Sequence, residues 1–162
     1  MNKKQTHVTI KRIDLSEVNA RREIISLQRL SYSQEARIIG YEDIPARFDT
    51  EQDLLRSGEM FSGCYRHTKL VGLISTSCAN RVLEICRLVV HPKFHRQSIA
   101  SILLDSLEKA KQEYTCIRVS TAVKNEPAMA LYRNKGFEEI ERRRTPDGLE
   151  LVTLQRSKAE IR

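Results

Sequence analysis

A run of apolar, β-branched residues that breaks at a proline and reopens as an amphipathic helix constrains this chain more than any other feature. Residues 84–107, EICRLVVHPKFHRQSIASILLDSL, read as a strand ending at Val90, a turn at His91-Pro92, and a helix. Ile99, Ile102, Leu103, Leu107 and Ala110 fall at helical spacing on one face of it. The helix is expected to run about four turns, to near Tyr114, and a further strand follows at residues 116–123, CIRVSTAV. Two strands joined through a helix lie parallel, with a right-handed crossover. The polar opening of the helix leaves backbone N–H groups free at a sheet edge, an arrangement that attracts phosphate.

The flanking segments complete one layer of sheet. Residues 8–15 read as a first strand. Residues 17–39 read as a helix capped by Ser16 or Asn19, carried by Ile24, Leu27, Leu30 and Ile38, and broken near Ser31-Tyr32-Ser33. With Gly40 before it and Pro45 within it, residues 41–48 are expected to be a loop lying over a site. Asp49 or Thr50 starts a short helix through Leu55, stopped by Ser57-Gly58. Residues 60–65 and 70–78 form a hairpin, and a turn at Ala79-Asn80-Arg81 joins it to the opening strand as an antiparallel meander. Asn125 begins another helix, with Pro127 near its start and Gly136 as its stop. Two final strands, residues 137–144 and 149–155, flank Thr145-Pro146-Asp147-Gly148. The expected fold is α/β: a single mixed, mostly antiparallel sheet flanked by helices, with one parallel βαβ unit.

A chain of 162 residues suits one domain, residues 1–162, with its core over about 8–155. No stretch reaches the roughly 18 apolar residues of a membrane helix. The basic N-terminus lacks the apolar segment of an export signal, so the expected location is the cytoplasm. Cys64, Cys78, Cys86 and Cys116 stand singly in expected strands, as reduced, buried thiols. The net charge of +7 favours acidic partners. Only Arg142-Arg143-Arg144 is a compact basic run, and a solvated strand edge accounts for it, so nucleic acid is not the expected partner. A homodimer is left open.

Two motifs in sequence order, LVVHPKFHRQSIASILL and, some way downstream, NEPAMALYRNKGF, resemble the GNAT superfamily of N-acetyltransferases. Members carry a strand with V-x-P, an R/Q-x-x-G-x-G/A loop opening a helix, and an N-x-x-A-x-x-x-Y-x-x-x-G-F helix. Here His95, Ser98 and Ala100 stand at the loop positions, and Asn125, Ala128, Tyr132, Gly136 and Phe137 fill the second pattern. His95 replaces Arg or Gln, and Ser98 replaces a glycine that would let the backbone approach a pyrophosphate closely. A helical backbone at Ser98 would still offer its N–H, with weaker or reshaped cofactor binding.

The resemblance implies acetyl-CoA as co-substrate, lying where the fourth and fifth strands splay apart. Leu88, Val89 and Val90 would offer backbone groups to the pantetheine arm. The backbone from His95 and Arg96 through Gln97, Ser98, Ile99, Ala100 and Ser101 would cradle the pyrophosphate. Tyr132 stands where the family carries its general acid, and Asn125 caps its helix or binds the pantetheine region. An alkylamine of pKa about 10.4 must lose a proton before it attacks. Glu84, in an apolar strand, is the first candidate base, with His91, Glu35 and Glu42 as rivals. Glu35, Glu42 and Asp43 are also placed to attract a cationic amine. Ser120 stands where members acting on protein N-termini often carry glutamate, which argues against that subgroup. His91 and His95 are separated by Pro92 and lack a third ligand, so no metal is expected. Direct transfer to a primary amine of a small molecule or peptide is preferred over a covalent acetyl-Cys86 route. The alternative is a catalytically degenerate acyl-CoA-binding module that acts through a partner.

Overall fold

Three consecutive strands with tight connections build the centre of the sheet. The computed structural model describes residues 7–109 and 111–158. Strands β2 (Met60–Arg66), β3 (Lys69–Ala79) and β4 (Val82–Val90) form the expected antiparallel meander. Asn80 and Arg81 close its second turn with φ of 51° and 62°, both left-handed, as a two-residue hairpin turn requires. Strand β1 (Thr9–Arg12) adds to the β2 edge. It is shorter than expected because Asp14 turns the chain: its carboxylate accepts from the Ser16 N–H and its carbonyl from the Glu17 N–H.

Strand β5 (Cys116–Ala122) pairs parallel with β4, and β7 (Glu150–Ser157) inserts antiparallel between β5 and β6 (Glu138–Arg144). The sheet therefore has seven strands in the order β1-β2-β3-β4-β5-β7-β6, with β4 and β5 its parallel pair.

Helix α1 (Val18–Ile39) is continuous, without the break expected near Ser31-Tyr32-Ser33. Its buried stripe is Ile24, Leu27, Gln28, Tyr32, Ala36 and Ile39, whereas Leu30 and Ile38, whose apolar spacing suggested the helix, are about half exposed. The polar Gln28 holds the middle of the stripe, which hides the periodicity. A 3-10 turn, Pro45–Phe48, lies within the expected loop. Helix α2 (Glu51–Arg56) opens on a reciprocal capping box between Thr50 and Asp53.

Helix α3 (Ile99–Ser106) is shorter than expected, with one 3-10 turn, Leu107–Lys109, after it. The Tyr114 hydroxyl donates to the Leu107 carbonyl and satisfies the end of the helix, 3.1 Å away. Leu104 is buried and Ile102 only half-buried; Ala110 lies outside the described residues. Helix α4 (Glu126–Asn134) is capped by Asn125, whose Oδ1 accepts from the Ala128 N–H.

A β-bulge in β4 decides which side chains meet which helix. Ser75 pairs with Arg87 and Thr76 with Ile85, so Cys86 is the extra residue. Before the bulge Leu83 and Ile85 pack with α3; beyond it Val89 packs with α1 while Leu88 and Val90 border the α3 side. The bulge also leaves Cys86 exposed, and Cys78 on β3 is half-buried, so burial holds for Cys64 and Cys116 alone among the four thiols. Gly72, on β3, lets α3 settle against the sheet: a Cβ there would lie 2.8 Å from Ile99 Cγ2 and 3.2 Å from Leu103 Cδ1.

Candidate active site

Strands β4 and β5 are paired only over Val82–Ile85 and Cys116–Val119. Past Ile85 they part, and a cavity of about 850 Å³ occupies the gap. Leu88 and Val90 line it from β4, His95, Arg96 and Ser98 from the following loop, and Ile99, Ala100 and Ser101 from the first turn of α3. Asn125, Ala128, Leu131 and Tyr132 close it from the α4 side. Ser31, Gln34, Glu35 and Ile38, at positions i, i+3, i+4 and i+7 of α1, form its roof.

Ten of the residues assigned to catalysis or cofactor binding from the sequence, and the rival base Glu35, are thus brought together. Val89 and Gln97 are not among the lining residues: the Val89 side chain is buried on the α1 side of β4, and Gln97 is half-buried in the loop. Glu84 does not line the cavity either. It sits in the paired part of β4 opposite Arg118 of β5. Burial holds its carboxyl above the usual range, and the Arg118 charge works against that. His91, a rival base, lines a separate groove of about 540 Å³ with Arg22, Lys69 and Thr68. Burial, together with Lys69, Lys93 and His95, lowers its pKa. Glu42 is exposed and paired with Arg47.

The α1 residues Ser31, Gln34 and Ile38 were given no part in the site from the sequence. Their helical spacing with Glu35 was visible, but which face of α1 turns inward depends on the buried Gln28. Its side-chain amide donates to the Ala46 carbonyl and Asp49, and its oxygen accepts from Arg87. Arg87 in turn pairs with Asp49, and with Glu59 at 2.9 Å. This cluster ties α1, the segment before α2, and the start of β2 to the part of β4 that borders the cavity.

The loop into α3 is built for close backbone approach. After the 3-10 turn Pro92–Phe94, Arg96 and Ser98 both adopt left-handed backbone, with φ of 61° and 62°. The helical backbone anticipated for Ser98 is therefore not what it adopts; the residue takes the conformation a glycine would hold, at a cost of about 1–2 kcal/mol. The first helical bond runs from the Ile102 N–H to the Ser98 carbonyl, 2.9 Å. The N–H groups of Ile99, Ala100 and Ser101 consequently have no partner inside α3 and mark a positive helix end. His95 reaches back and donates from Nε2 to the Val90 carbonyl, 3.2 Å away. The carbonyl that the resemblance gives to the pantetheine arm is thus already bonded.

Tyr132 is 4% exposed, stacked edge-on against Phe137 with ring centroids 5.4 Å apart. Burial, and secondarily the Glu35 charge, push its hydroxyl well above the usual phenol range, so it carries its proton at neutral pH. Asn125 uses its Oδ1 as the helix cap, and this orients its Nδ2 to donate to Glu35 Oε1 at 3.1 Å. Burial raises the Glu35 pKa, and the Asn125 bond opposes the rise. Gln34 Oε1 is buried without a hydrogen-bond partner.

The residues fit an acyl-CoA thioester. Free N–H groups and Arg96 stand at one end for phosphates, and Leu88, Val90 and Leu131 give apolar walls. Tyr132 lines the same cavity, as does Gln34, whose Oε1 is an unpaired acceptor. Among the described residues no group of three or more His, Cys, Asp or Glu side chains is placed to hold a metal ion, and no helix is long and apolar enough to cross a membrane.

Comparison with known proteins identifies the family and agrees with the fold. The model of the family described as "Acetyltransferase (GNAT) domain" matches residues 30–158. The UPF0157 protein YqkA of Bacillus subtilis (strain 168) is 38% identical over 133 residues, 82% of this chain; the matched chain spans only 39% of that relative's length. Among solved structures, the ribosomal-protein-S18-alanine N-acetyltransferase of Escherichia coli superposes with a TM-score of 0.75 at 17% identity, covering 96% of this chain and 97% of that one. An aminoglycoside 6'-N-acetyltransferase complexed with coenzyme A gives a TM-score of 0.71 at 15% identity, covering 95% and 99%. At these identities the two structures speak to the fold.

Proposed function

The chain belongs to the GNAT acetyltransferase family, and from that premise we propose that it is an acetyl-CoA-dependent N-acetyltransferase. Its acceptor is a primary amine of a small molecule or peptide, which attacks directly in a ternary complex. The observation that carries this reading is one cavity, opened by the parting of β4 and β5, that brings together an anion-attracting helix start and a buried, protonated tyrosine. The related folds named above act on a protein alanine and on an aminoglycoside, and one of them holds coenzyme A.

When bound, acetyl-CoA supplies a thioester activated toward acyl transfer. The chain's own residues do the rest. The N–H groups of Ile99, Ala100 and Ser101, with Arg96, hold the pyrophosphate. Leu88 and Val90 set the depth of the arm through the β4 edge that β5 leaves free. Asn125 Nδ2 is shared between that arm and Glu35. Tyr132 keeps a proton at its hydroxyl for the departing sulfur. Glu84, the first candidate base from the sequence, is outside the lining residues of the cavity and would reach the amine only through intervening water. A covalent acetyl-Cys86 has no support, because Cys86 is outside the lining residues of the cavity.

The test is release of free thiol from acetyl-CoA with a panel of polyamines, aminoglycosides, amino acids and peptides. Amine-dependent, saturable release supports the enzyme. A melting temperature raised by acetyl-CoA with no thiol release from any amine favours the acyl-CoA-sensing module instead.

A further inference from the structure

The lining of the cavity is electrically polarised. Its one cationic side chain among the described residues, Arg96, stands in the loop before α3, and its one carboxylate among them, Glu35, stands on α1. We propose that Glu35 receives the ammonium group of the acceptor and takes up its proton, with Gln34 Oε1 accepting a second N–H. This rests on the N-acetyltransferase reading and deepens it by naming the acceptor's subsite.

Three observations support it. Glu35 is held, not free to swing: Asn125 is fixed by its cap bond to the Ala128 N–H and presents Nδ2 to Glu35 Oε1. One carboxylate oxygen is therefore tied and the other is available. Gln34 lines the same cavity and its Oε1 is buried without a partner, a state that a bound N–H donor relieves. The other carboxylates are poorly placed: Glu42 is exposed and paired with Arg47, Asp43 is exposed, and Glu84 faces Arg118 outside the cavity. Burial also raises the Glu35 carboxyl above its ordinary value, with the Asn125 bond working against the rise.

The balance is simple. An R–NH3+ group gives one proton to the Glu35 carboxylate and becomes R–NH2. Its nitrogen lone pair forms the C–N bond to the acetyl carbon, the C–S bond breaks, and the electron pair leaves on sulfur. The sulfur takes the Tyr132 proton, and the second proton of the nitrogen restores Tyr132, while Glu35 releases its own proton to solvent. The products are R–NH–acetyl, a free thiol and one proton.

Glu35→Gln keeps the shape and the Asn125 bond but removes the base. The probes are tyramine and spermidine, protonated at pH 7, and p-anisidine, a weakly basic amine that is neutral there. Calorimetry on the full chain is expected to show binding of the tighter alkylamine weakened by about tenfold or more in the variant, the loss of a charge-assisted bond, with p-anisidine and coenzyme A binding unchanged. The alkylamine kcat/KM is expected to fall by about 100-fold, and that for p-anisidine to change little. Equal losses for both kinds of amine, or unchanged alkylamine binding and turnover, overturn the assignment while leaving the transferase reading standing. A wild-type protein that releases thiol with none of the three overturns both.

Discussion

Replacing Ser98 by glycine is expected to stabilise the protein and tighten its hold on coenzyme A. Ser98 lies at φ 62° at the start of α3, where the missing Cβ of glycine removes about 1–2 kcal/mol of left-handed strain. Against this, glycine gains freedom in the unfolded chain, at a cost of roughly 0.5–1 kcal/mol. The Ser98 side chain makes no capping hydrogen bond that would be lost. The net is a gain of about 0.5–1 kcal/mol, which for a domain of this size raises the melting temperature by roughly 1–4 °C. The same change clears a side chain from the phosphate approach, so coenzyme A affinity rises as well. Calorimetric melting with and without coenzyme A reads both effects, and Ser98→Ala, which keeps the Cβ, is the control. A glycine variant that melts lower than wild type and binds coenzyme A no better would refute the reasoning, because it would mean the loop is not strained at Ser98.

Other substitutions probe the frame around the cavity. Gly72→Ala places a methyl group 2.8 Å from Ile99 Cγ2 and 3.3 Å from the Val89 carbonyl, so α3 must shift; a loss of about 1–3 kcal/mol in urea unfolding is expected, with weaker coenzyme A binding. Arg87→Met leaves Asp49 and Glu59 nearly buried without their cation and is expected to cost about 3–5 kcal/mol; a cost under about 1 kcal/mol would show that the pair is not held together by Arg87. Glu35→Gln is expected to raise stability at pH 7 but not near pH 4. Glu35 has a raised pKa when folded, so its contribution is fully present below the unfolded value and is lost as pH rises through the folded one. Equal melting-temperature shifts at both pH values would contradict that. Tyr132→Phe is expected to lower kcat with coenzyme A affinity unchanged; an unchanged kcat would remove the acid role.

Much of the fold was legible because its signals are local. The Thr50 and Asp53 capping box, the Asn80-Arg81 turn, the Asn125 cap with Pro127, and the proline and glycine between the last two strands each specify a boundary from a few neighbouring residues. The features that escaped depend on partners far along the chain. Gln28 belongs to the buried face of α1 only because Arg87, 59 residues later, answers its oxygen. The α3 helix ends early because Tyr114 returns to meet Leu107. Cys86 is exposed because a bulge displaces it, and nothing in the run EICRLVV announces that bulge. The same holds for the site: the loop and the Asn125 helix carried their own motifs, whereas the roof formed by Gln34 and Glu35 follows from how α1 is rolled onto the sheet.

The central claim, that the gap between β4 and β5 is where acetyl-CoA is held for transfer, is tested most directly by a crystal structure of the coenzyme A complex. The expected density places the pyrophosphate on the N–H groups of Ile99, Ala100 and Ser101, and the sulfur within hydrogen-bond reach of the Tyr132 hydroxyl. Pyrophosphate density instead in the groove of Arg22, Lys69 and His91, with the gap between the strands empty, would contradict the account.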